Sequence, residues 1–201
     1  MDIIIQMIIA YLLGSIPSGV WIGRAFFNKD IREYGSGNTG ATNTYRILGP
    51  KAGTVALIMD VLKGFIATSI PIYLGTDIHP VFIGIFAILG HIYPIYIKFK
   101  GGKAVATTAG VVLAIQPVYV LIFIAVFLFI LLTTSTVSIA SMGAVLLAAI
   151  FSFSLNDPIM AIAIWGLAFT IIYLHRENLK RIKKGTESRV PFGLRSTKKD
   201  K

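Results

Sequence analysis

From residue 104 to residue 132 the sequence carries no Asp, Glu, Lys or Arg. Crossing the hydrocarbon core of a bilayer takes about 20 predominantly apolar residues, in a helix rising 1.5 Å per residue. This stretch is longer than that, and further apolar runs cover residues 3–23, 53–74, 79–97, 137–153 and 158–174. Of the 201 residues, 55% are hydrophobic and 14% charged, against roughly 25% charged in an ordinary soluble domain. A soluble core of this size has no interior large enough for that much apolar surface, so the chain reads as an all-α integral membrane protein. It has no cysteine, which excludes a disulfide framework, a thiolate metal site and a cysteine nucleophile.

The distribution of the 19 Lys and Arg residues sets the expected topology. Arg24, Lys29, Arg32, Arg46 and Lys51 lie between the first two runs, and Lys98, Lys100 and Lys103 follow the third. Ten more run from Arg176 to the end, and Lys63 lies inside the second run. The connections around residues 75–77 and 154–157 carry Asp77 and Asp157 and no basic residue. Cytoplasmic loops are enriched in Lys and Arg, so all three basic regions should be cytoplasmic. That requires an odd number of spans, with residues 104–132 divided at Gln116-Pro117. The expectation is seven transmembrane helices, about 3–23, 53–74, 79–97, 104–115, 118–133, 137–153 and 158–175, with the N-terminus outside and the C-terminus cytoplasmic. They form a single membrane domain over 1–201, ending in a basic cytoplasmic tail, about 180–201, read as partly disordered near anionic headgroups. The short fourth helix should be covered by its neighbours. Pro17 can kink the first. That first run is not expected to be a cleaved signal peptide, because Met-Asp precedes it and no small-residue cleavage signature ends it.

Two glycine-rich loops fall on the expected cytoplasmic side. In residues 30–46, Gly35, Gly37 and Gly40 permit backbone turns that larger residues resist. Successive turned N–H groups can form an anion-binding nest. Ser36, Asn38, Thr39, Thr42 and Asn43 add short polar side chains, and Arg32 and Arg46 can fork onto phosphate oxygens. In residues 98–103, Gly101 and Gly102 precede a helix start, where the first N–H groups lack internal partners, and Lys103 adds a cation. The Walker A spacing is absent. Lys98 and Lys100 read as membrane anchors.

Other polar groups are expected near the same side. Asp60 and Lys63, spaced i, i+3, share a helix face and should pair inside the bundle. Ser135, Ser138 and Ser141 make a polar stripe suited to helix–helix hydrogen bonding. His175 and Asn178, also i, i+3, lie beside Arg176, Glu177 and Arg181. His175 could orient or deprotonate a hydroxyl, and His91 is a weaker candidate for that role. The chemistry suits phosphate-bearing substrates at a bilayer surface. A transporter or flippase of a phosphorylated solute or lipid is the alternative; no evident repeat pair flanks a midplane site to support it. No HxxxxD, HExxH, CDP-alcohol carboxylate cluster or paired-carboxylate metal centre occurs.

Six segments together resemble the bacterial membrane acyl-phosphate:glycerol-3-phosphate acyltransferase family. They are Gly-Ser-Ile-Pro-Ser-Gly (14–19), Asp-Ile-Arg with Gly-Ser-Gly-Asn-Thr-Gly-Ala-Thr-Asn and Arg (30–46), and Asp-Val-Leu-Lys-Gly (60–64). Gly-His-Ile-Tyr-Pro with Phe-Lys-Gly-Gly-Lys (90–103), Ser-Ile-Ala-Ser (138–141) and His-Arg-Glu-Asn (175–178) complete the set. The resemblance implies transfer of a fatty acyl group from acyl phosphate to the 1-hydroxyl of glycerol 3-phosphate. The products are 1-acyl-glycerol 3-phosphate (lysophosphatidic acid) and phosphate, the first acylation of bacterial phospholipid synthesis. It implies a multi-pass protein of the bacterial cytoplasmic membrane with its site facing the cytoplasm, neither cofactor nor metal, and no nucleic-acid partner. Functional coupling to a peripheral acyl-phosphate synthase fits the same picture. Carried over by motif, Ser36, Arg46, Lys103, His175 and Asn178 are the expected catalytic residues. Gly35, Gly37, Asn38, Thr39, Gly40, Asn43, Gly101, Gly102, Ser138 and Ser141 are the expected substrate-binding ones.

Overall fold

Pro17 has no amide hydrogen and its ring crowds the preceding turn, so a helix cannot pass through it undistorted. In the computed structural model, which describes residues 1–196, the first apolar run breaks in two. α1 (Ile3–Gly14) and α2 (Ser18–Phe27) are bent by 44° at this break. This replaces the single helix expected over 3–23. α2 runs on to Phe27 and is closed by Asn28 in the left-handed region, φ 49°. α3 (Ala41–Leu74) starts at Ala41 rather than at residue 53, and bends where Gly49 adopts φ 86° ahead of Pro50. Residues 41–46 of the first glycine-rich loop are therefore helical. α4 (Pro80–Ile92) stops before Pro94 instead of reaching residue 97, and Ile95–Ile97 form a 3₁₀ turn. α5 (Val105–Ile115) ends at Gln116-Pro117. These elements make up the first of two compact units, Met1–Pro117. α6 (Pro117–Thr134), α7 (Val137–Phe151), α8 (Pro158–Leu174) and α9 (Arg176–Lys183) build the second, Val118–Lys201. No strand occurs among the described residues.

Small residues let the helices of the first unit approach at backbone distance. On α3 and α5, a Cβ at Gly64 would strike the Thr107 carbonyl and one at Gly110 the Val61 carbonyl. Gly14 and Gly90 do the same for α1 and α4. Ala10, Ala67, Ile83 and Ala87 form a fully buried cluster among these helices. Val20, Ile31 and Ile97 form a second beneath the loop that follows α2. In the second unit α7 packs on α8, and the Tyr119 hydroxyl of α6 donates to the Ala148 carbonyl of α7.

Polarity runs opposite to that of a soluble protein. Asn43, Asp60, Lys63 and Thr68 are buried, whereas Phe26, Tyr73, Leu121, Phe129, Ile162 and Phe169 are exposed. A lipid solvent selects this pattern, since it solvates aliphatic surface and penalises unpaired polar groups. Among the described residues, four helical segments are long and apolar enough to cross a membrane: α3, Pro80–Ile97, α6 and Val137–Ser154. Up to six do so if the bent pairs α1–α2 and α8–α9, the latter bent by 53°, each count as one span. With 11 residues, α5 is about 16 Å long, roughly half the hydrocarbon thickness. This separates the spans that meet the length criterion from the seven expected.

The described part of the basic tail makes hydrogen bonds back to the bundle. After α9, Val190 N–H donates to the Ser135 carbonyl (2.8 Å) and Leu194 N–H to the Leu132 carbonyl (2.7 Å). Arg195 N–H reaches Ser135 Oγ at 3.2 Å. The described part of the tail thus returns to the α6–α7 corner. Residues 197–201 of that expected tail lie outside the described residues.

Candidate active site

The loop from Asn28 to Gly40 is shaped by one carboxylate and one amide. Asp30 accepts from Arg32 through both oxygens (Nε–Oδ1 2.9 Å, Nη2–Oδ2 2.6 Å) and from Arg24 Nη2 at 2.8 Å. The Arg32 hydrogen bonds hold the Asp30 carboxyl well below the usual carboxylate range, and Asp30 in turn raises the Arg32 guanidinium. Arg32, expected to fork onto phosphate, is already forked onto Asp30. Buried Asn43, on the first turn of α3, donates through Nδ2 to the carbonyls of Ile31 (2.8 Å) and Tyr34 (3.2 Å). Its Oδ1 accepts the Ser36 N–H at 3.0 Å and Arg46 Nη1 at 3.5 Å. The Asn43 side chain thus ties Ser36 and Arg46, both exposed, to one turn of chain. Gly35 and Gly37 take φ 61° and 69°, where a side chain would strain the backbone. Gly40 has an ordinary φ of −80° and precedes α3. Asn38 Oδ1 accepts the Gly40 N–H at 2.9 Å, and Thr39 is buried.

The second loop uses its glycines differently. Neither Gly101 nor Gly102 has a positive φ; the left-handed residues are Lys98, Phe99 and Ala104, at 58°, 59° and 58°. Gly101 N–H donates to the Ile92 carbonyl (3.1 Å) and Gly102 N–H to the His91 carbonyl (3.0 Å). Both amides close the C-terminal end of α4. Lys103, half-buried, lies between this pair and α5.

Beneath both loops lies a buried polar network. Asp60 Oδ1 accepts from Lys63 Nζ (2.9 Å) and Ser18 Oγ (2.9 Å), and His91 Nδ1 is 3.7 Å from it. Lys63 Nζ also donates at 2.8 Å to the Ile16 carbonyl, which accepts the Ser18 N–H at 3.1 Å as well, where α1 breaks. The expected Asp60–Lys63 pair is therefore formed, and it bridges the discontinuous α1–α2 segment. A small cavity beside it is lined by Ser18, Thr39, Asp60, Lys63, His91 and Pro94, among others.

The polar cluster of the second unit centres on a residue that the sequence reading passed over. Glu187 Oε1 accepts from Asn178 Nδ2 (2.6 Å) and Ser138 Oγ (2.7 Å), and Oε2 from Arg181 Nε (2.7 Å). Burial pushes the Glu187 carboxyl up, but Asn178, Ser138 and Arg181 outweigh it, and the carboxyl stays below its ordinary value. Glu187 is the only acidic residue between Glu177 and Asp200 in an otherwise basic segment, which was the available signal. Ser135 and Ser138 therefore bond the returning tail. Ser141 is buried one turn further along α7. His175 is buried at the α8–α9 bend, with Nδ1 2.8 Å from the Ile171 carbonyl. A carbonyl only accepts, so Nδ1 carries the hydrogen, and in the neutral ring Nε2 is the acceptor. Among the described residues no group of three His, Cys, Asp or Glu side chains is placed to hold a metal ion.

Comparison with known proteins gives these clusters a context. The family model described as glycerol-3-phosphate acyltransferase matches residues 4–185. The glycerol-3-phosphate acyltransferase of Lactiplantibacillus plantarum is 53% identical over 199 residues, covering 96% of this chain and 95% of that protein. That of Enterococcus faecalis is 49% identical over 209 residues, covering 98% and 96%. The crystal structure of PlsY (YgiH), an integral membrane glycerol 3-phosphate acyltransferase, in its glycerol 3-phosphate form has a TM-score of 0.88 at 42% identity. It covers 93% of this chain and 94% of that one. The lysophosphatidic acid form scores 0.85 at 41% identity, covering 92% and 94%. A match along nearly the whole length in both sequence and fold leaves one assignment: this chain belongs to the glycerol-3-phosphate acyltransferase family.

Proposed function

We propose that the protein transfers a fatty acyl group from acyl phosphate to the 1-hydroxyl of glycerol 3-phosphate, giving lysophosphatidic acid and phosphate. One observation carries the reading. A protein of the same fold, 42% identical, has been crystallised in a glycerol 3-phosphate form, and the same enzyme in a lysophosphatidic acid form. Those two molecules are acceptor and product of a single acylation. In the reaction the hydroxyl oxygen attacks the acyl carbonyl carbon and an ester bond forms. The carbon–oxygen bond to phosphate breaks, and phosphate leaves with the electron pair. An acyl phosphate is a mixed anhydride with a good leaving group, so positioning and charge stabilisation supply most of the rate.

The proposed roles follow side-chain chemistry. Arg46 and Lys103 neutralise phosphate oxygens through charge-assisted hydrogen bonds, and Ser36 donates beside Arg46. Gly35 and Gly37 supply the turn that presents Ser36, with Asn38, Thr39, Gly40 and Asn43 bracing that loop. Gly101 and Gly102 shape the approach to Lys103. His175, Asn178, Ser138 and Ser141 orient the glycerol and acyl phosphate groups. A substrate phosphate takes the proton of the 1-hydroxyl, while His175 orients the glycerol. The proposed setting is the bacterial cytoplasmic membrane, with seven spans in one domain, the N-terminus outside, and the loops and tail cytoplasmic. The support is the absence of Lys and Arg from the remaining connections. In that setting a peripheral acyl-phosphate synthase can deliver the donor directly.

The test is turnover of detergent-purified protein with acyl phosphate and glycerol 3-phosphate, following phosphate release and the regiochemistry of the product. Equal formation of phosphate and 1-acyl-glycerol 3-phosphate is expected. Turnover with acyl-CoA but not with acyl phosphate would overturn the donor assignment.

A further inference from the structure

His91 touches the chain on both sides of Lys103, at Gly102 of the second glycine-rich loop and at Thr107 of α5. Its carbonyl accepts the Gly102 N–H at 3.0 Å. Its Nδ1 pairs with Thr107 Oγ1, on the first turn of α5, at 3.0 Å. Its ring fills the space in front of Gly102: a Cβ built there would meet Nε2, with Cδ2 at 3.0 Å and Cε1 at 3.3 Å. Gly102 has no positive φ, so the hand of the backbone does not require a glycine there. The neighbouring imidazole does. The ring is itself held, being buried with Asp60 Oδ1 3.7 Å from Nδ1. Asp60 is fixed in turn by Lys63 and Ser18. Ala104, immediately after Lys103, sits at φ 58°, a conformation that non-glycine residues keep only where the surroundings impose it.

We propose that His91 is a positioning residue for Lys103. Its imidazole and carbonyl set the course of the backbone through Gly101–Ala104 and so aim the Lys103 ammonium, and Gly102 is a glycine to admit His91 rather than to admit phosphate. The inference rests on the reading that Lys103 binds a substrate phosphate. A displacement of about 1 Å at such a group costs on the order of a hundredfold in rate, so rigid support from α4 and α5 matters.

The experiment is a double-mutant cycle on the full chain in detergent, with kcat and KM measured for both substrates. Lys103→Ala first identifies which phosphate the loop holds, as the substrate whose KM rises. Gly102→Ala should raise that same KM about tenfold or more, because it overpacks the ring, while kcat changes less. His91→Asn keeps a polar group at the Nδ1 position and vacates the outer ring, so its own effect should be severalfold. In the double variant the added methyl occupies the vacated space, and KM should fall below that of Gly102→Ala alone. A double variant with a KM as high as Gly102→Ala, or higher, overturns the proposal. If Gly102→Ala does not fold, Thr107→Val decides. It removes the hydroxyl partner of His91 and should raise the same KM severalfold with kcat within about twofold; an unchanged KM overturns the proposal. If Lys103→Ala itself leaves both KM values and kcat at wild-type levels, it is the phosphate reading that falls.

Discussion

Removing the charge of Glu187 should free the tail without unfolding the bundle. Glu187→Gln keeps the shape but leaves a neutral acceptor for Asn178 and Ser138, now 2.6 and 2.7 Å away. A hydrogen bond to a charged group contributes roughly 1.5–3 kcal/mol and a neutral one roughly 0.5–1.5, so these two bonds lose about 2 kcal/mol together. The Arg181 pair is partly exposed, with side-chain exposures of 37% and 12%, and solvent screening limits it to about 1 kcal/mol or less. The glutamine NH₂ must also face one of the three donors. The sum is about 2–4 kcal/mol, and opening of the tail should become about thirtyfold more frequent or greater. The assay is hydrogen exchange at Val190, Leu194 and Arg195, whose amides bond to Ser135 and Leu132, compared with amides inside α7 and α8. The sign of the pH dependence follows from the lowered carboxyl. Folding holds it below its ordinary value near 4.5, so its stabilisation is complete above that value and fades as pH falls through the folded one. Wild type should lose tail protection in acid, and Glu187→Gln should lack that step. Unchanged exchange in the variant at neutral pH would refute the idea that this carboxylate pins the tail.

Lys103→Ala and Arg46→Ala should each lower kcat/KM about tenfold to a hundredfold, the loss of one charge-assisted bond, with thermal unfolding in detergent unchanged; wild-type kinetics for both substrates would remove that residue from the site. His175→Asn can still donate to the Ile171 carbonyl as Nδ1 does but has no counterpart of Nε2, so activity should be partial and the acidic limb of kcat/KM against pH retained. A loss of about 10²–10⁴-fold in kcat, with that limb gone, would make His175 the general base. Because the chain contains no cysteine, single cysteines report topology cleanly: Thr76→Cys should react with an impermeant thiol reagent in intact cells and Ser36→Cys should not.

The helices were legible where one local signal dominated. Long uncharged stretches mark α6 and α7, and Gln116-Pro117 separates α5 from α6. Pro17 marked a weak point, but sequence could not show that it would end α1 outright. That outcome depends on partners far along the chain, Lys63 for the Ile16 carbonyl and Asp60 for Ser18. The start of α3 was hidden for the opposite reason. Residues 41–46 include Thr42, Asn43, Thr44 and Arg46, so no apolar period announces a helix. Its first turn is fixed instead by Asn43 bonding back to Ile31 and Tyr34.

In the polar clusters, residue type pointed to chemistry more readily than to the division of labour. Arg32 and Arg46 look equivalent in sequence, yet Arg32 is bound through two oxygens by Asp30, two residues away, while Arg46 has a single long contact with Asn43. Among the described residues, Arg46 has no carboxylate partner in that loop. The glycines divide in the same way. Gly37 answers to backbone hand, and Gly35 to backbone hand and to the Asn43 amide oxygen beside it, whereas Gly101 and Gly102 answer to the end of α4 and the His91 ring. A glycine-rich motif therefore mixes positions that make a turn with positions that make room. Substitution should separate the two: alanine at Gly35 or Gly37 strains φ whatever its neighbours are, whereas alanine at Gly102 should cost less once the imidazole opposite is cut back.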